Sequence, residues 1–92
     1  MFVSVCGINR DLENADLKKH DTFLEAKQYC QRCAVEYIET KTIEALNLSM
    51  DPYYHKHAMK HAEYLKSVLA NVYKMEIPIR IKPDFIAFIK EL

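Results

Sequence analysis

Two amphipathic stretches, separated by a short polar break, occupy more than half of this 92-residue chain. The first opens with Thr-Phe-Leu-Glu at positions 22–25, the pattern of a capping box in which the threonine and glutamate side chains bond to each other's backbone amides. Apolar side chains then recur three and four residues apart, which is the period of one helix face. The pattern predicts a helix over about 22–47, and its weakest point is Thr40-Lys41-Thr42, because threonine lowers helix propensity.

The second stretch begins at Asp51-Pro52, where an N-cap residue precedes a proline at the first helical position. Its apolar side chains run at helical spacing from Tyr54 to Val72, and most of its lysines lie on the opposite face. We predict a helix over about 52–74. The connection of about five residues between the two helices makes them antiparallel neighbours.

Two short segments are typical of strands. The segment 2–6 is short and contains β-branched residues. The segment 76–82 alternates Ile77, Ile79 and Ile81 with polar residues or proline. Pro78 lacks a backbone donor, so the second strand should lie at a sheet edge. We expect the two strands to pair with each other beneath the helices. Residues 9–20 are polar with scattered apolar positions, a pattern that fits either helical turns or an ordered loop.

The C-terminal segment, residues 84–92, is strongly apolar and predicts a short closing helix that covers either the core or a second copy of the chain. Taken together, the segments predict one domain over residues 1–92, of the α+β class and dominated by an antiparallel helix pair. An all-α bundle is the alternative fold.

Composition narrows the classes of function. Thirteen basic and thirteen acidic residues give a formal charge of zero, which argues against a binder that relies on a large basic field. A single glycine leaves little room for a glycine-rich phosphate loop. No apolar run reaches the roughly 20 residues of a transmembrane helix, and the first residues lack the pattern of a signal peptide. We expect a cytoplasmic chain that does not enter a membrane.

The cysteines and histidines raise the hypothesis of a zinc site. Cys30 and Cys33 lie three residues apart, His57 and His61 lie four apart, and together they would give a Cys₂His₂ set. The two pairs lie at unequal distances from the turn between the helices, which offsets them by on the order of 10–15 Å along the helix axes. We therefore favour Cys30 and Cys33 as small core residues. The odd number of cysteines also fits reduced thiols better than a disulfide framework.

A cluster of basic and aromatic residues supports an alternative function, the binding of a nucleic acid or nucleotide. Lysines and histidines follow Tyr53 and Tyr54 on the second helix, and further basic residues lie in the strand after it. The candidate residues are Lys56, His57, Lys60, His61, Arg80 and Lys82.

Catalytic patterns are weak, because no serine or cysteine lies in a nucleophile motif and Glu63 is the only acidic residue on the second helix. The leading hypothesis is a small non-enzymatic protein-interaction module, an inhibitor or adaptor without a cofactor, that binds and modulates a larger protein and forms a homodimer. The residues expected at its partner surface are Tyr53, Tyr54, Phe85, Phe88 and Ile89.

Overall fold

The computed structural model describes all 92 residues as a four-stranded antiparallel sheet with two long helices packed against one face. This arrangement confirms the α+β class and does not support the all-α bundle. Short 3₁₀ turns cover Asn9–Asn14 and Val72–Lys74. The main elements are β1 (Phe2–Ile8), β2 (Asp16–His20), α1 (Phe23–Leu48), α2 (His55–Asn71), β3 (Ile79–Ile81) and β4 (Phe85–Glu91).

The strand order is β2-β1-β4-β3, which places β1 and β4 at the centre of the sheet. The predicted C-terminal helix is therefore wrong, because this segment is the central strand β4. The sequence predicted that the strand at residues 2–6 pairs with the strand at residues 76–82, and this prediction is also wrong. These segments correspond to β1 and β3; β3 pairs with β4, and β1 lies between β2 and β4. The physical reason is that β4 carries apolar side chains on both faces, so the period-two signal of a strand is absent from its sequence.

The predicted start of α1 is confirmed. The Thr22 side chain accepts a hydrogen bond from the Glu25 amide at 3.2 Å, as the capping box requires. The helix continues without interruption through residues 40–42, where the Thr42 hydroxyl donates to the Ile38 carbonyl at 2.7 Å. This bond satisfies the Thr42 hydroxyl within the helix, and the helical hydrogen-bond pattern continues past it.

The second helix begins later than predicted. The Asp51 carboxylate accepts a hydrogen bond from the Tyr53 amide at 2.9 Å, which closes a local turn and does not cap a helix. Residues 52–54 therefore form turns, and α2 starts at His55. The third predicted element, the strand over 76–82, shortens to Ile79–Ile81, with prolines at 78 and 83 on either side. Its predicted place at a sheet edge is confirmed.

The hydrophobic core lies between the helices and one face of the sheet. Small side chains from α1 allow the helix to approach the sheet closely, and larger ones from both helices fill the remaining space. The buried residues in this core are Cys6, Cys30, Ala34, Ile38, Leu65, Val72, Ile79, Ile81, Phe85 and Ala87.

The only glycine in the chain, Gly7, lies in β1 opposite Ala15. A Cβ atom added at Gly7 would lie 3.0 Å from both the Cα and the Cβ of Ala15. We expect Gly7→Ala to lower the free energy of unfolding by about 1–3 kcal/mol, because the added methyl group overpacks this cross-strand contact. Urea denaturation of Gly7→Ala measures the loss. Adding Ala15→Gly should restore part of the stability, and a Gly7→Ala protein as stable as the parent would contradict the close contact.

Candidate partner-binding surface

The two faces of the sheet differ sharply in what covers them. Side chains alternate along a strand, and Cys6 and Ala87 point into the core beneath the helices. The intervening residues therefore point to the opposite side, which neither helix covers. We call this side the open face; it consists of Val3, Val5, Gly7, Leu17, Lys19, Arg80, Ile86, Phe88 and Lys90.

Apolar side chains form the centre of the open face. Val5 pairs with Leu17 of β2 on one side and with Phe88 of β4 on the other, so the three form a continuous row across the sheet. Val5 and Ile86 are buried although they lie outside the core between helices and sheet. Leu17, at the end of the row, is 65% exposed. Leu17 is therefore the part of this row that presents a largely exposed apolar side chain to its surroundings, beside the buried Val5 and the half-buried Phe88.

All of the charged side chains on the open face are basic. Lys19 and Lys90 stand on either side of Val3, and Arg80 lies beside Ile86. None of these three basic residues forms a salt bridge within the chain. Because adjacent strands lie about 4.8 Å apart, Lys19 and Lys90 flank β1 at a separation of about 10 Å.

The acidic residues of the same strands point to the helix side. Asp16 of β2 accepts a hydrogen bond from the Tyr29 hydroxyl, and this bond raises the pKa of Tyr29 above its ordinary value. Glu91 of β4 pairs with Phe2, on the face opposite Val3. The charged residues of the open face are therefore all basic, although the chain as a whole has a formal net charge of zero.

Only part of the predicted partner surface lies on this face. Phe88 is there, half-buried, but Phe85 is only 6% exposed and packs against Tyr37 with ring centroids 4.8 Å apart. The prediction for Phe85 is wrong because in a strand residues 85 and 88 point to opposite sides. Ile89 packs half-buried against the core.

The two predicted tyrosines lie elsewhere, in the turn between α1 and α2. Tyr53 is 85% exposed, and its ring makes an edge-to-face contact with Tyr54 at 4.7 Å. The five predicted residues therefore do not form one surface. Sequence reasoning missed Val3, Leu17, Lys19 and Lys90, although residues 3 and 5 of β1 share a face by simple alternation.

The structure brings together four of the six residues proposed for nucleic-acid or nucleotide binding. His57, His61 and Lys82 line a cavity of about 350 Å³ between the two helices and the β3–β4 turn. Arg80 and Lys82 line an adjoining cavity of about 320 Å³. Lys56 and Lys60 lie on the exposed side of α2, outside both cavities.

The four residues of the proposed zinc site do not converge. Cys30 lies in the core against Cys6, whereas His57 and His61 face the cavity beside Lys82. No group of three or more histidine, cysteine, aspartate or glutamate side chains has an arrangement that could hold a metal ion. The predicted offset between the cysteine and histidine pairs along the helices accounts for their separation.

The interpretation of Cys30 as a core residue is confirmed, and Cys6 joins it. Their sulfur atoms lie 3.9 Å apart, and Cys33 is half-buried one turn further along α1. The hydrogen bond to Cys30 and burial both raise the pKa of the Cys6 thiol well above its ordinary value. Cys6 therefore stays protonated and unreactive at neutral pH.

We expect only Cys33 to react with a thiol reagent such as Ellman's reagent in the folded protein, because Cys6 and Cys30 are buried. All three cysteines should react after unfolding in guanidinium chloride. Absorbance at the reagent's product band counts the thiols, and Cys33→Ser serves as the control that removes the native signal. Rapid reaction of two or three thiols in the folded protein would contradict this burial.

A buried serine–histidine pair also connects β1 and β2. The Ser4 hydroxyl oxygen lies 2.9 Å from His20 Nε2, within the distance at which a general base activates a nucleophile. Ser4 is fully buried, however, and a buried hydroxyl offers no room for a substrate. The pair satisfies two polar groups inside the protein, as buried polar groups generally require.

No protein-family model, curated protein or solved structure matches this chain. None of its helices combines the length and the apolar composition needed to cross a bilayer.

Proposed function

We propose that this chain is a non-enzymatic protein-interaction module whose open face binds an acidic amphipathic helix of a partner protein. The observation that carries the proposal is the apolar row Leu17–Val5–Phe88, which is exposed at one end and accompanied by basic charges only. An apolar surface rimmed by polar groups is typical of a protein-binding site.

The dimensions of the open face suit a helix that lies along β1. A helix is about 10–12 Å wide with its side chains, close to the separation of Lys19 and Lys90 across β1. Val3 and Val5 would contact its apolar stripe. Acidic side chains on the two flanks of the helix would then meet Lys19 on one side and Lys90 on the other.

Charge also bears on the homodimer that we expected from the sequence. Two copies joined through their open faces would bring like charges together, which opposes association. The exposed Tyr53 and Tyr54 at the turn between the helices offer a separate apolar contact for self-association. We retain the homodimer as a proposal for that surface.

We also propose a cytoplasmic location, which the three free thiols support because a reducing compartment keeps cysteines unpaired.

Selection of peptides from a displayed library of amphipathic helices tests the proposal. Peptides selected on the parent protein should carry acidic residues on both sides of an apolar stripe. A counter-selection on Lys19→Glu/Lys90→Glu should remove them, whereas Lys56→Glu, an exposed lysine on α2, should have no effect. Backbone amide shifts on peptide binding should change most along β1 and at Leu17 and Phe88.

Other outcomes would contradict the proposal. Selected peptides without acidic residues, or peptides that bind the double variant equally well, would place recognition on another surface. Salt-dependent binding of a single-stranded oligonucleotide, lost in the same double variant, would show that the open face binds nucleic acid. A dimer that requires the open face would identify a second copy of the chain as its occupant.

A further inference from the structure

The cavity between α1, α2 and the β3–β4 turn is separate from the open face and uses none of its residues. Its volume, about 350 Å³, falls within the usual range for small-molecule sites. The cavity exists because α1 and α2 face each other here through Ala45 and Ala58, whose side chains are too short to fill the space. Both alanines are buried and give the cavity an apolar floor, which Leu48 and Pro83 extend.

Three side chains with unused hydrogen-bonding capacity line this cavity. His57 and His61 lie one turn apart on α2, and Lys82 approaches from the β3–β4 turn. None of the three side chains forms a hydrogen bond or a salt bridge within the chain. The remaining charged groups, Lys41 and Glu44, pair with each other at 3.1 Å and cancel. The cavity therefore has an excess of positive charge at Lys82 and two imidazoles beside it.

Tyr64 contacts two of these residues. Its ring stacks against His61, with ring centroids 6.1 Å apart and planes inclined by 15°. Its hydroxyl oxygen accepts a hydrogen bond from the Lys82 amide at 3.0 Å. Tyr64 therefore contacts His61 through its ring and the Lys82 backbone through its hydroxyl, which limits how far the imidazole and the β3–β4 turn can move apart.

We propose that this cavity binds a small organic phosphate. The apolar body of the ligand would lie on Ala45 and Ala58, and its phosphate would accept hydrogen bonds from Lys82 and from the N–H groups of His57 and His61. A phosphate has enough acceptor oxygens to serve the three donors that line this cavity, whereas a neutral polar ligand leaves the Lys82 charge unpaired.

Calorimetric and NMR titrations with phenyl phosphate test this proposal in the full chain. We expect saturable binding that shifts the amide signals of Ala45, Ala58, His57 and His61. Inorganic phosphate should bind more weakly because it lacks the apolar body, and phenol should not saturate the site because it lacks the charge. Replacement of Lys82 by glutamine should weaken phenyl phosphate binding about tenfold, the usual effect of losing one hydrogen bond to a charged group.

Two further variants make the result decisive. Lys60→Gln removes an exposed charge from α2 outside the cavity and should leave phenyl phosphate affinity unchanged. Ala45→Leu fills the floor and should abolish binding, and its circular dichroism spectrum shows whether it remains folded. Equal affinity of the parent and Lys82→Gln proteins, or shifts confined to other surfaces, would overturn the proposal. Peptide binding at the open face is unaffected by either result, because the two sites share no residue.

Discussion

Replacement of Ala87 by aspartate is expected to unfold most of the protein. Ala87 is fully buried in the central strand β4, where its neighbours across the sheet are Cys6 and Ile79. A carboxylate at this position would lose its hydration without gaining a partner, at a cost of about 4 kcal/mol or more. That cost is close to the whole stability of many small domains. Circular dichroism and urea denaturation measure the loss.

Lys90→Asp is the matched control, because it places the same side chain three residues further along the strand. Residues 87 and 90 point to opposite faces of β4, and Lys90 is exposed. We expect this variant to stay folded. In a C-terminal helix the two positions would share a face, so equal effects of the two substitutions would contradict the placement of this segment as a central strand.

The second large effect is expected for Leu65→Ala, which should lower the free energy of unfolding by about 2–5 kcal/mol. Leu65 is a fully buried residue of α2 and packs in the same core as Ile38 and Val72. Truncation leaves a cavity between the helices and the sheet that the surrounding backbone cannot close completely. Chemical denaturation monitored by circular dichroism gives the difference in unfolding free energy.

Leu69→Ala provides the comparison on the same helix one turn later. Leu69 is 39% exposed, so its truncation removes less buried area and should cost below about 1 kcal/mol. Similar losses for both variants would show that α2 does not bury Leu65 against the sheet as the structure describes.

The helices were predictable because local signals and packing agree. The Thr22 cap and the helical spacing of apolar residues specify α1 without long-range information, and α1 ends one residue beyond the predicted boundary. The start of α2 was less predictable, because an aspartate before proline can either cap a helix or close a turn. The bond from the Tyr53 amide to Asp51 shows that the turn formed here.

The sheet was harder to predict because its pairing depends on contacts distant in sequence. The segment 85–91 has apolar residues at successive positions, a pattern that fits a short buried helix as well as a central strand. Its partner β1 has the same ambiguity at Val5 and Cys6, which are both buried on opposite faces. Only the antiparallel register between the first and last strands resolves which side chains share a face.

The candidate surface depends on that same register. Lys19 and Lys90 lie 71 positions apart in the sequence, yet both flank Val3 in the sheet. No local pattern relates them, and the zero net charge of the chain does not reveal a face whose charged residues are all basic. The basic and histidine cluster of α2, by contrast, is local in sequence. The spacing of four residues places His57 and His61 on one helix face, and both line the cavity beside Lys82, which the sequence did not predict.

A charge-swap titration tests the central claim, recognition through the open face, most directly. Fluorescence anisotropy would measure the affinity of one labelled amphipathic helix with acidic flanks, and of the same helix with basic flanks, for the parent and for Lys19→Glu/Lys90→Glu. We predict that the acidic helix binds the parent at least about tenfold more tightly than the variant, and that the basic helix shows the reverse preference. Equal binding of each helix to both proteins would contradict the account.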